Sequence, residues 1–139
     1  EVHALAWADD RSVLCANGDG IWRSPDGVRW TQVYDSTVTA LNCLRDGNCY
    51  AAQGNGTVLK STDDGASWEV HSTDVQQFVW YGTIRQFSMN QKGWMICTLP
   101  QGWSPVSLDG GKTWALSHQL SDSARIEIFG SLLLVTSDS

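Results

Sequence analysis

The sequence has little of what several large classes of protein require. Basic residues are scarce, since nine Lys and Arg stand against fifteen Asp and Glu and leave a formal net charge of −6. Nucleic-acid grooves depend on Lys and Arg contacts to phosphate, so this balance argues against a nucleic-acid partner. No apolar run approaches the roughly 18 residues that a membrane-spanning helix needs. We therefore expect neither nucleic-acid binding nor membrane insertion.

Signals for helices, metals and cofactors are missing as well. No stretch of about ten residues has a convincing 3.6-residue period, which predicts essentially no helix. The histidines His3, His71 and His118 are far apart in the sequence and lack the spacing of metal ligands. The Gly-rich segments 18–20 and 54–56 are typical of hairpin turns rather than of phosphate-binding loops. The sequence predicts no metal and no cofactor.

What the chain does contain indicates an all-β protein. Its 139 residues are 42% apolar, which is enough for the core of one domain or of a piece of one. Thirteen glycines and only three prolines lie between short apolar segments. Asp-Gly and Asn-Gly pairs supply the positive φ angles that tight hairpins require. Short strands joined by Gly-rich turns are therefore expected throughout.

An internal repeat organises these strands. Three segments share a Ser, an Asp, a Gly and a Trp in the same order: Ser24, Asp26, Gly27 and Trp30; Ser61, Asp63, Gly65 and Trp68; Ser107, Asp109, Gly111 and Trp114. The last two match as Ser-x-Asp-x-Gly-x-Ser/Thr-Trp, whereas the first is one residue shorter. The likeness extends upstream, because Leu5, Leu41 and Phe87 take equivalent places at offsets of 36 and 46 residues.

Each repeat unit is predicted to form four short antiparallel strands, the architecture of a β-propeller blade. Apolar residues on both faces of each first strand predict that every blade lies between two neighbours. The assignments are blade 1 at 1–36, blade 2 at 37–73, blade 3 at 74–121 and the first two strands of a fourth blade at 122–139. Closed propellers have about 4–8 blades, so the chain is expected to be part of a longer polypeptide, in a ring of about 6–8 blades. A ring closed by self-association and a different β-architecture are the alternatives.

The three segments resemble the Asp-box, or BNR, repeat of sialidase-like propellers, sortilin-type receptor ectodomains and propeller assembly factors of photosystem II. The resemblance implies that each segment is the turn between the third and fourth strands of a blade, and that ligands bind on the opposite face. In such a turn Ser and Asp side chains bond backbone N–H groups, Gly takes a conformation that a Cβ would resist, and Trp anchors the hairpin. Asp26, Asp63 and Asp109 are therefore interpreted as structural rather than catalytic.

The resemblance to sialidases also suggests what a catalytic site would need. Such an enzyme has three Arg, a nucleophilic Tyr assisted by Glu, and a Phe/Tyr-Arg-Ile-Pro segment before the first box. That tetrapeptide does not occur, and Tyr34, Tyr50 and Tyr81 have no Glu nearby in the sequence. We expect no catalytic residues in this segment.

The four cysteines indicate one disulfide. Cys43 and Cys49 flank the first turn of blade 2, and opposed Cβ atoms of paired strands are about 4.5–5.5 Å apart, close enough for a bridge. Two free core thiols are the alternative. Cys15 and Cys97 occupy equivalent places in blades 1 and 3 and are predicted to be free. The composition resembles that of extracellular proteins and favours the bridge, and an even number of cysteines is compatible with an oxidising compartment, so we expect an extracellular or secreted protein, with a periplasmic or lumenal one as the alternative.

The link at 72–83 is where the repeat departs most from its own spacing, and it is rich in aromatic and amide side chains. We expect the ligand-binding residues there and on neighbouring turns: Gln76, Gln77, Phe78, Trp80, Tyr81, Asn55 and Gln101. Trp and Tyr anchor contacts to proteins or stack on sugars. The alternative is that Phe78 and Trp80 cover the core between blades. Asn55 also begins an Asn-Gly-Thr sequence, the acceptor pattern for N-glycosylation.

The leading functional hypothesis is a non-catalytic extracellular binding or assembly module. It would recognise protein or glycan through the face opposite the boxes, with the rest of its own propeller or another copy of the chain at its open blade edges. One alternative is a fragment of a sialidase-type glycoside hydrolase whose catalytic residues lie outside this segment. The other is a self-assembling structural subunit.

Overall fold

The computed structural model describes residues 2–78, 84, 86–90, 92–99 and 104–116, which form twelve strands and one short helix. Sheet 1 contains β1 (Val2–Trp7), β2 (Val13–Asn17), β3 (Gly20–Ser24) and β4 (Thr31–Tyr34). Sheet 2 contains β5 (Ala40–Cys43), β6 (Cys49–Ala52), β7 (Val58–Ser61) and β8 (Glu69–Ser72). Sheet 3 contains β9 (Gln86–Met89), β10 (Met95–Thr98), β11 (Pro105–Ser107) and β12 (Ala115–Leu116). A single 3₁₀ turn, Asp74–Gln77, follows β8.

Every sheet is an antiparallel meander in which consecutive strands are neighbours. The strand register is the same in the first two sheets, since Leu5 pairs with Cys15 in sheet 1 and Leu41 pairs with Ala51 in sheet 2. This confirms the prediction of four-stranded antiparallel units with essentially no helix. The proposed fourth unit, 122–139, lies outside the described residues.

The sheets stack face to face, with their first strands side by side: β5 lies beside β1 on one side and beside β9 on the other. Sheet 2 is consequently buried on both faces, and all four residues of β6 are buried. Cys49 and Ala51 pack in the cluster shared with sheet 1, whereas Tyr50 and Ala52 pack in the cluster shared with sheet 3. Burial on both faces explains why β6 carries no strongly polar residue.

The front face of a sheet is defined here as the face that bears Leu5 in sheet 1 and Leu41 in sheet 2. The front of sheet 2 packs against the back of sheet 1, which carries Leu14, Ala16 and Ile21. The front of sheet 1 has no described element against it, and 63% of Leu5 and 72% of Trp7 are exposed. The expectation that both faces of every blade are covered therefore does not hold for sheet 1 within the described residues.

The tryptophans of the three repeated segments differ in burial. Trp114 is only 5% exposed and packs in the core between sheets 2 and 3. Trp68 is half-buried against the core between sheets 1 and 2, and Trp30, in the shorter first segment, is 40% exposed. The indole N–H groups of Trp68 and Trp114 donate to the carbonyls of Gly65 and Gly111 at 2.8 and 2.9 Å. The expected anchoring by Trp is therefore strongest in the third segment.

Replacing Trp114 with Ala should lower the free energy of unfolding by about 3–5 kcal/mol, the usual cost of deleting a buried large aromatic side chain. Trp30→Ala is the matched control and should cost less than about 1 kcal/mol, because its side chain is substantially exposed. Urea unfolding followed by tryptophan fluorescence measures both changes. Equal losses in the two variants would contradict the difference in packing described above.

Candidate functional site

The three repeated segments form turns between the third and fourth strands of their sheets, and we name them turn 1 (24–30), turn 2 (61–68) and turn 3 (107–114). In turn 2, Ser61 Oγ accepts the Gly65 N–H at 2.8 Å and donates to Asp63 Oδ1 at 2.7 Å. Asp63 in turn accepts the backbone N–H of Ser67 at 2.9 Å and its hydroxyl at 2.6 Å. The serine and aspartate thus bond each other and the backbone of their own turn.

Turn 3 repeats this network with a Thr in place of the second Ser. Ser107 Oγ accepts the Gly111 N–H at 2.9 Å, and Asp109 accepts the N–H and the hydroxyl of Thr113 at 3.0 and 2.5 Å. The shorter turn 1 keeps the serine bond, in which Gly27 N–H donates to Ser24 Oγ at 2.7 Å. Its Asp26 accepts two backbone N–H groups, those of Val28 and Arg29, each at 2.9 Å.

These bonds lower the pKa of all three carboxyl groups. The hydroxyls of Ser67 and Ser61 lower the pKa of Asp63 from 3.8 to about 2. Burial raises the pKa of Asp109, but the hydrogen bonds from Thr113 and Ser107 lower it further, so that the pKa lies below the ordinary value. The backbone N–H groups of Arg29 and Val28 lower the pKa of Asp26. Carboxylates that are ionised and already bonded near neutral pH are poorly suited to act as general acids.

The glycines of turns 2 and 3 lie at the interfaces between sheets. Gly65 and Gly111 have φ angles of +85° and +87°, in the left-handed region. A Cβ on Gly65 would lie 2.7 Å from Leu14 Cδ1 of sheet 1, and one on Gly111 would lie 2.8 Å from Met95 Sδ. Only glycine satisfies both the backbone conformation and the available space.

The carbonyl that precedes each of these glycines accepts a hydrogen bond from the preceding sheet. Arg23 Nε donates to the Asp64 carbonyl at 3.1 Å, and His71 Nε2 lies 2.8 Å from the Gly110 carbonyl. Because a carbonyl can only accept, His71 Nε2 carries the hydrogen. Turns 2 and 3 are therefore held to the sheet before them by side chains of different chemistry, which come from the third strand of sheet 1 and from the fourth strand of sheet 2.

The link after β8 begins on a buried base. Val75 is fully buried and Phe78 is buried with it in the core between sheets 2 and 3, so Phe78 takes the core position rather than an exposed one. Gln76 and Gln77 of the same 3₁₀ turn are exposed. Of the other candidates, Trp80, Tyr81 and Gln101 lie outside the described residues.

Gln76 connects the link to the turn that carries Asn55. Its Nε2 donates to Thr57 Oγ1 at 3.2 Å, and its backbone passes so close that a Cβ on Gly56 would lie 2.7 Å from it. Asn55 is exposed and its Oδ1 accepts the Thr57 N–H at 3.0 Å. The fold thus brings Gln76 and the Asn55 turn together.

A polar cleft of about 560 Å³ lies where the end of β8 and the 3₁₀ turn meet turn 3. Its lining consists of His71, Ser72, Thr73, Asp74, Gln77 and Lys112. Two bonds join its walls: Ser72 Oγ donates to the Lys112 carbonyl at 2.9 Å, and the Trp114 N–H donates to Asp74 Oδ2 at 2.6 Å. Sequence reasoning named Gln77 and included Thr73 only as part of the 72–83 link, and it missed His71 and Lys112. No sequence signal identifies them, because the contact arises only when two sheets pack.

The disulfide between Cys43 and Cys49 is present as predicted. Cys15 and Cys97 are free thiols, of which Cys97 is fully buried and Cys15, on the open front of sheet 1, is half-buried. Burial raises the pKa of the Cys97 thiol, so it stays protonated and unreactive.

The described part of the chain contains neither a cluster of metal-binding side chains nor a helix that could cross a membrane. No three His, Cys, Asp or Glu side chains there are grouped closely enough to hold a metal ion. Within the same residues, no helix has the length and apolar character to span a bilayer.

No protein-family model and no curated protein matches the sequence. Solved structures do match, at low identity. The structure of YCF48 bound to D1 peptide has a TM-score of 0.62 and 12% identity, over 86% of this chain and 40% of that one. YCF48 from Cyanidioschyzon merolae has a TM-score of 0.62 and 15% sequence identity, and the match covers 91% of this chain and 40% of that one. An ancestral GH74 enzyme has a TM-score of 0.63 and 16% sequence identity, and the match covers 82% of this chain and 18% of that one.

The likeness to these structures shows the fold and no more at such identities. Together with the three four-stranded sheets, it establishes that the chain consists of β-propeller blades. The chain spans about 40% of the length of the two YCF48 chains and 18% of the GH74 enzyme.

The lowered pKa of Asp63 predicts a specific loss of stability in acid. A carboxyl group whose pKa falls from 3.8 in the unfolded chain to about 2 in the fold stabilises the protein above the higher value. That contribution is lost as pH falls from about 4 towards 2. Asp63→Asn should flatten the dependence of the unfolding midpoint on pH in this window, whereas Asp35→Asn, at an exposed carboxylate, should leave it unchanged. Urea titrations at several pH values measure this dependence. If the midpoint of Asp63→Asn varies with pH as steeply as that of the wild type, the lowered pKa of Asp63 is not the cause of the acid sensitivity.

Proposed function

We propose that the chain is a non-catalytic binding or assembly module that recognises protein or glycan through the surface around its 72–83 link. The observation that carries this proposal is the construction of the link. Val75 and Phe78 bury its base, while Gln76 and Gln77 present exposed amides at fixed positions. Exposed polar groups on a rigid scaffold are a common way to build a binding surface.

The proposed surface combines residues from three segments. Gln76, Gln77 and Asn55 are exposed in the structure, and Gln76 bonds the Asn55 turn through Thr57. Trp80, Tyr81 and Gln101 are included on the basis of the sequence. The disulfide supports an extracellular or secreted location, because such bonds persist in oxidising compartments.

We further propose that turns 1 to 3 are Asp boxes of the BNR type, as in sialidase-like propellers. The bonding of Ser61, Asp63 and Gly65, repeated in turn 3, supports this assignment. The three aspartates would then be structural, in agreement with their lowered pKa values and their bonds within the turns.

The similar solved structures support two readings of the whole protein. One neighbour is bound to D1 peptide, which favours recognition of a polypeptide segment. Another is a GH74 enzyme, which favours the alternative of a glycoside hydrolase whose catalytic residues lie outside this segment. Carboxylates tied into their own turns favour the binding reading for the part of the chain described.

The test compares two tryptophans after partners have been selected from a glycan array and a displayed peptide library. Trp80→Ala should weaken binding of a selected partner by about 2 kcal/mol or more, as expected for an interface anchor. Gln77→Ala should weaken it about fivefold, the loss of one net hydrogen bond. Trp30→Ala is the control, since it removes an exposed tryptophan from turn 1, and should leave affinity unchanged.

Melting temperatures of the same variants separate the two roles of Trp80. Binding should fall while the melting temperature stays within a few degrees of the wild-type value. A large drop in melting temperature for Trp80→Ala would assign this tryptophan to the core. Unchanged affinity and unchanged melting would reject the link as the binding surface.

A second candidate function, self-assembly through the front of sheet 1, is favoured by the repeat itself. On sheet 2 the equivalent face bears Leu41, Ala51 and Leu59, which pack against the back of the preceding sheet. On sheet 1 the same positions are Leu5, Cys15 and Trp22, and much of this face is exposed. We propose that a second copy of the chain covers this face with the back of one of its sheets.

Sedimentation of the wild-type chain and of Trp7→Glu tests this assembly. The wild type should form a defined oligomer, and Trp7→Glu should shift it to monomer, because a carboxylate cannot be buried against an apolar sheet without a partner. Val70→Glu, at an exposed apolar residue of β8, should leave the mass unchanged. A wild-type chain that remains monomeric over the whole concentration range rules out self-assembly.

A further inference from the structure

The polar cleft between β8 and turn 3 has walls that are fixed before any ligand arrives. The bonds from Ser72 Oγ to the Lys112 carbonyl and from the Trp114 N–H to Asp74 Oδ2 cross it from one sheet to the next. Within one wall, the Asp74 N–H donates to Ser72 Oγ at 3.1 Å. His71 Nε2 adds a third link between the sheets, to the Gly110 carbonyl. A site with walls fixed in this way loses little conformational entropy on binding.

The cleft is a departure from the repeat and not a property of every interface between sheets. The strand register makes Val33 and Tyr34 of β4 equivalent to His71 and Ser72 of β8, since Tyr34 pairs with Ile21 and Ser72 pairs with Val58. Between sheets 1 and 2, Val33 and Tyr34 pack against the apolar cluster. Between sheets 2 and 3 the same two positions carry polar side chains that line an open cavity.

The lining defines the chemistry of the ligand. Lys112 donates from its ammonium group, Asp74 accepts through its carboxylate, and the Thr73 hydroxyl can do both. Among the described residues, no apolar side chain lines the cleft, which disfavours an aliphatic or aromatic ligand group. A simple anion would meet the Asp74 carboxylate and a simple cation would meet the Lys112 ammonium. A hydroxyl group donates and accepts at once and matches the mixed lining.

We propose that this cleft binds a neutral, hydroxyl-rich ligand, namely a sugar unit of a glycan. The volume of about 560 Å³ lies within the range of about 300–1,000 Å³ typical of small-molecule sites. The cleft opens to solvent, so a longer glycan can continue outwards from the bound unit. This inference rests on the glycan reading of the proposed function and places a specific subsite beside Gln77.

The experiment is an NMR titration of the ¹⁵N-labelled chain with single neutral sugars: glucose, galactose, mannose, xylose, fucose and N-acetylglucosamine. Each is added to about 50 mM, well above the millimolar Kd that corresponds to about −4 kcal/mol. At least one sugar should shift the amide signals of Thr73, Gln77 and Lys112 and leave those of turn 1 in place. Thr73→Val and Lys112→Met should each weaken binding about fivefold, the loss of one net hydrogen bond.

Arg29→Met is the matched control, because it removes an exposed cation from turn 1 without touching the cleft, and it should leave the titration unchanged. Sodium phosphate and acetate form the second arm of the experiment. If these anions shift the cleft signals and no sugar does, the cleft is an anion site on Lys112 and the proposal is overturned. No shift with any neutral sugar overturns it equally.

The experiments can reject the sugar site in the cleft and the binding surface at the link independently of each other. If Trp80→Ala weakens binding of the selected partner while Thr73→Val and Lys112→Met leave both that binding and the sugar titration unaltered, the cleft proposal fails and the proposed function stands. If sugars bind the cleft in the expected manner but Trp80→Ala leaves partner binding unchanged, the link surface fails and the cleft stands. Gln77 belongs to both and is therefore left out of this comparison.

Discussion

The space at the glycines of turns 2 and 3 is the constraint on which the packing of these turns depends. A Cβ on Gly65 would lie 2.7 Å from Leu14 of the preceding sheet, whereas a Cβ on Gly111 would lie 2.8 Å from Met95 of its own sheet and 3.5 Å from His71 of the preceding sheet. The same two glycines need left-handed φ angles to close their hairpins. A short local motif therefore sets two things at once, the turn within one sheet and the distance to the side chains packed against it. The carbonyls just before these glycines add the hydrogen bonds to Arg23 and His71.

Because the aspartates of the turns are used to hold this geometry, they are poor candidates for chemistry. Their oxygens already accept N–H and hydroxyl groups of their own turns, and their lowered pKa values follow from those bonds. The binding function that we propose therefore falls on residues that the repeat does not need. The link after β8 meets this condition, because its apolar residues Val75 and Phe78 hold it in place while its polar ones remain exposed.

The fold was predictable from the sequence to the extent that it is repeated. The equivalence of Leu5, Leu41 and Phe87 placed the first strands, and the position of Cys43 and Cys49 at either side of a tight turn predicted their bridge. Details that depend on contacts between sheets were not predictable. Trp30 and Trp114 occupy the same place in the motif, yet their burial differs because turn 1 is one residue shorter and packs against no preceding sheet among the described residues. The cleft joins residues about 40 positions apart, as in the Ser72 to Lys112 bond.

The two interfaces between sheets show how one repeat acquires different roles. At the first interface, Arg23 donates to the Asp64 carbonyl and forms an ion pair with Asp10 at 2.5 Å. Its guanidinium is therefore bonded both to turn 2 and to its own sheet. At the second, His71 makes the equivalent bond to turn 3, and Lys112 has no ion pair within the described residues. A substitution of Arg23 at the first interface should therefore act on stability, since its guanidinium is already bonded to protein. At the second, the exposed ammonium of Lys112 and the hydroxyl of Thr73 can change partners without loss of the bonds that join the sheets, and a ligand can replace water there.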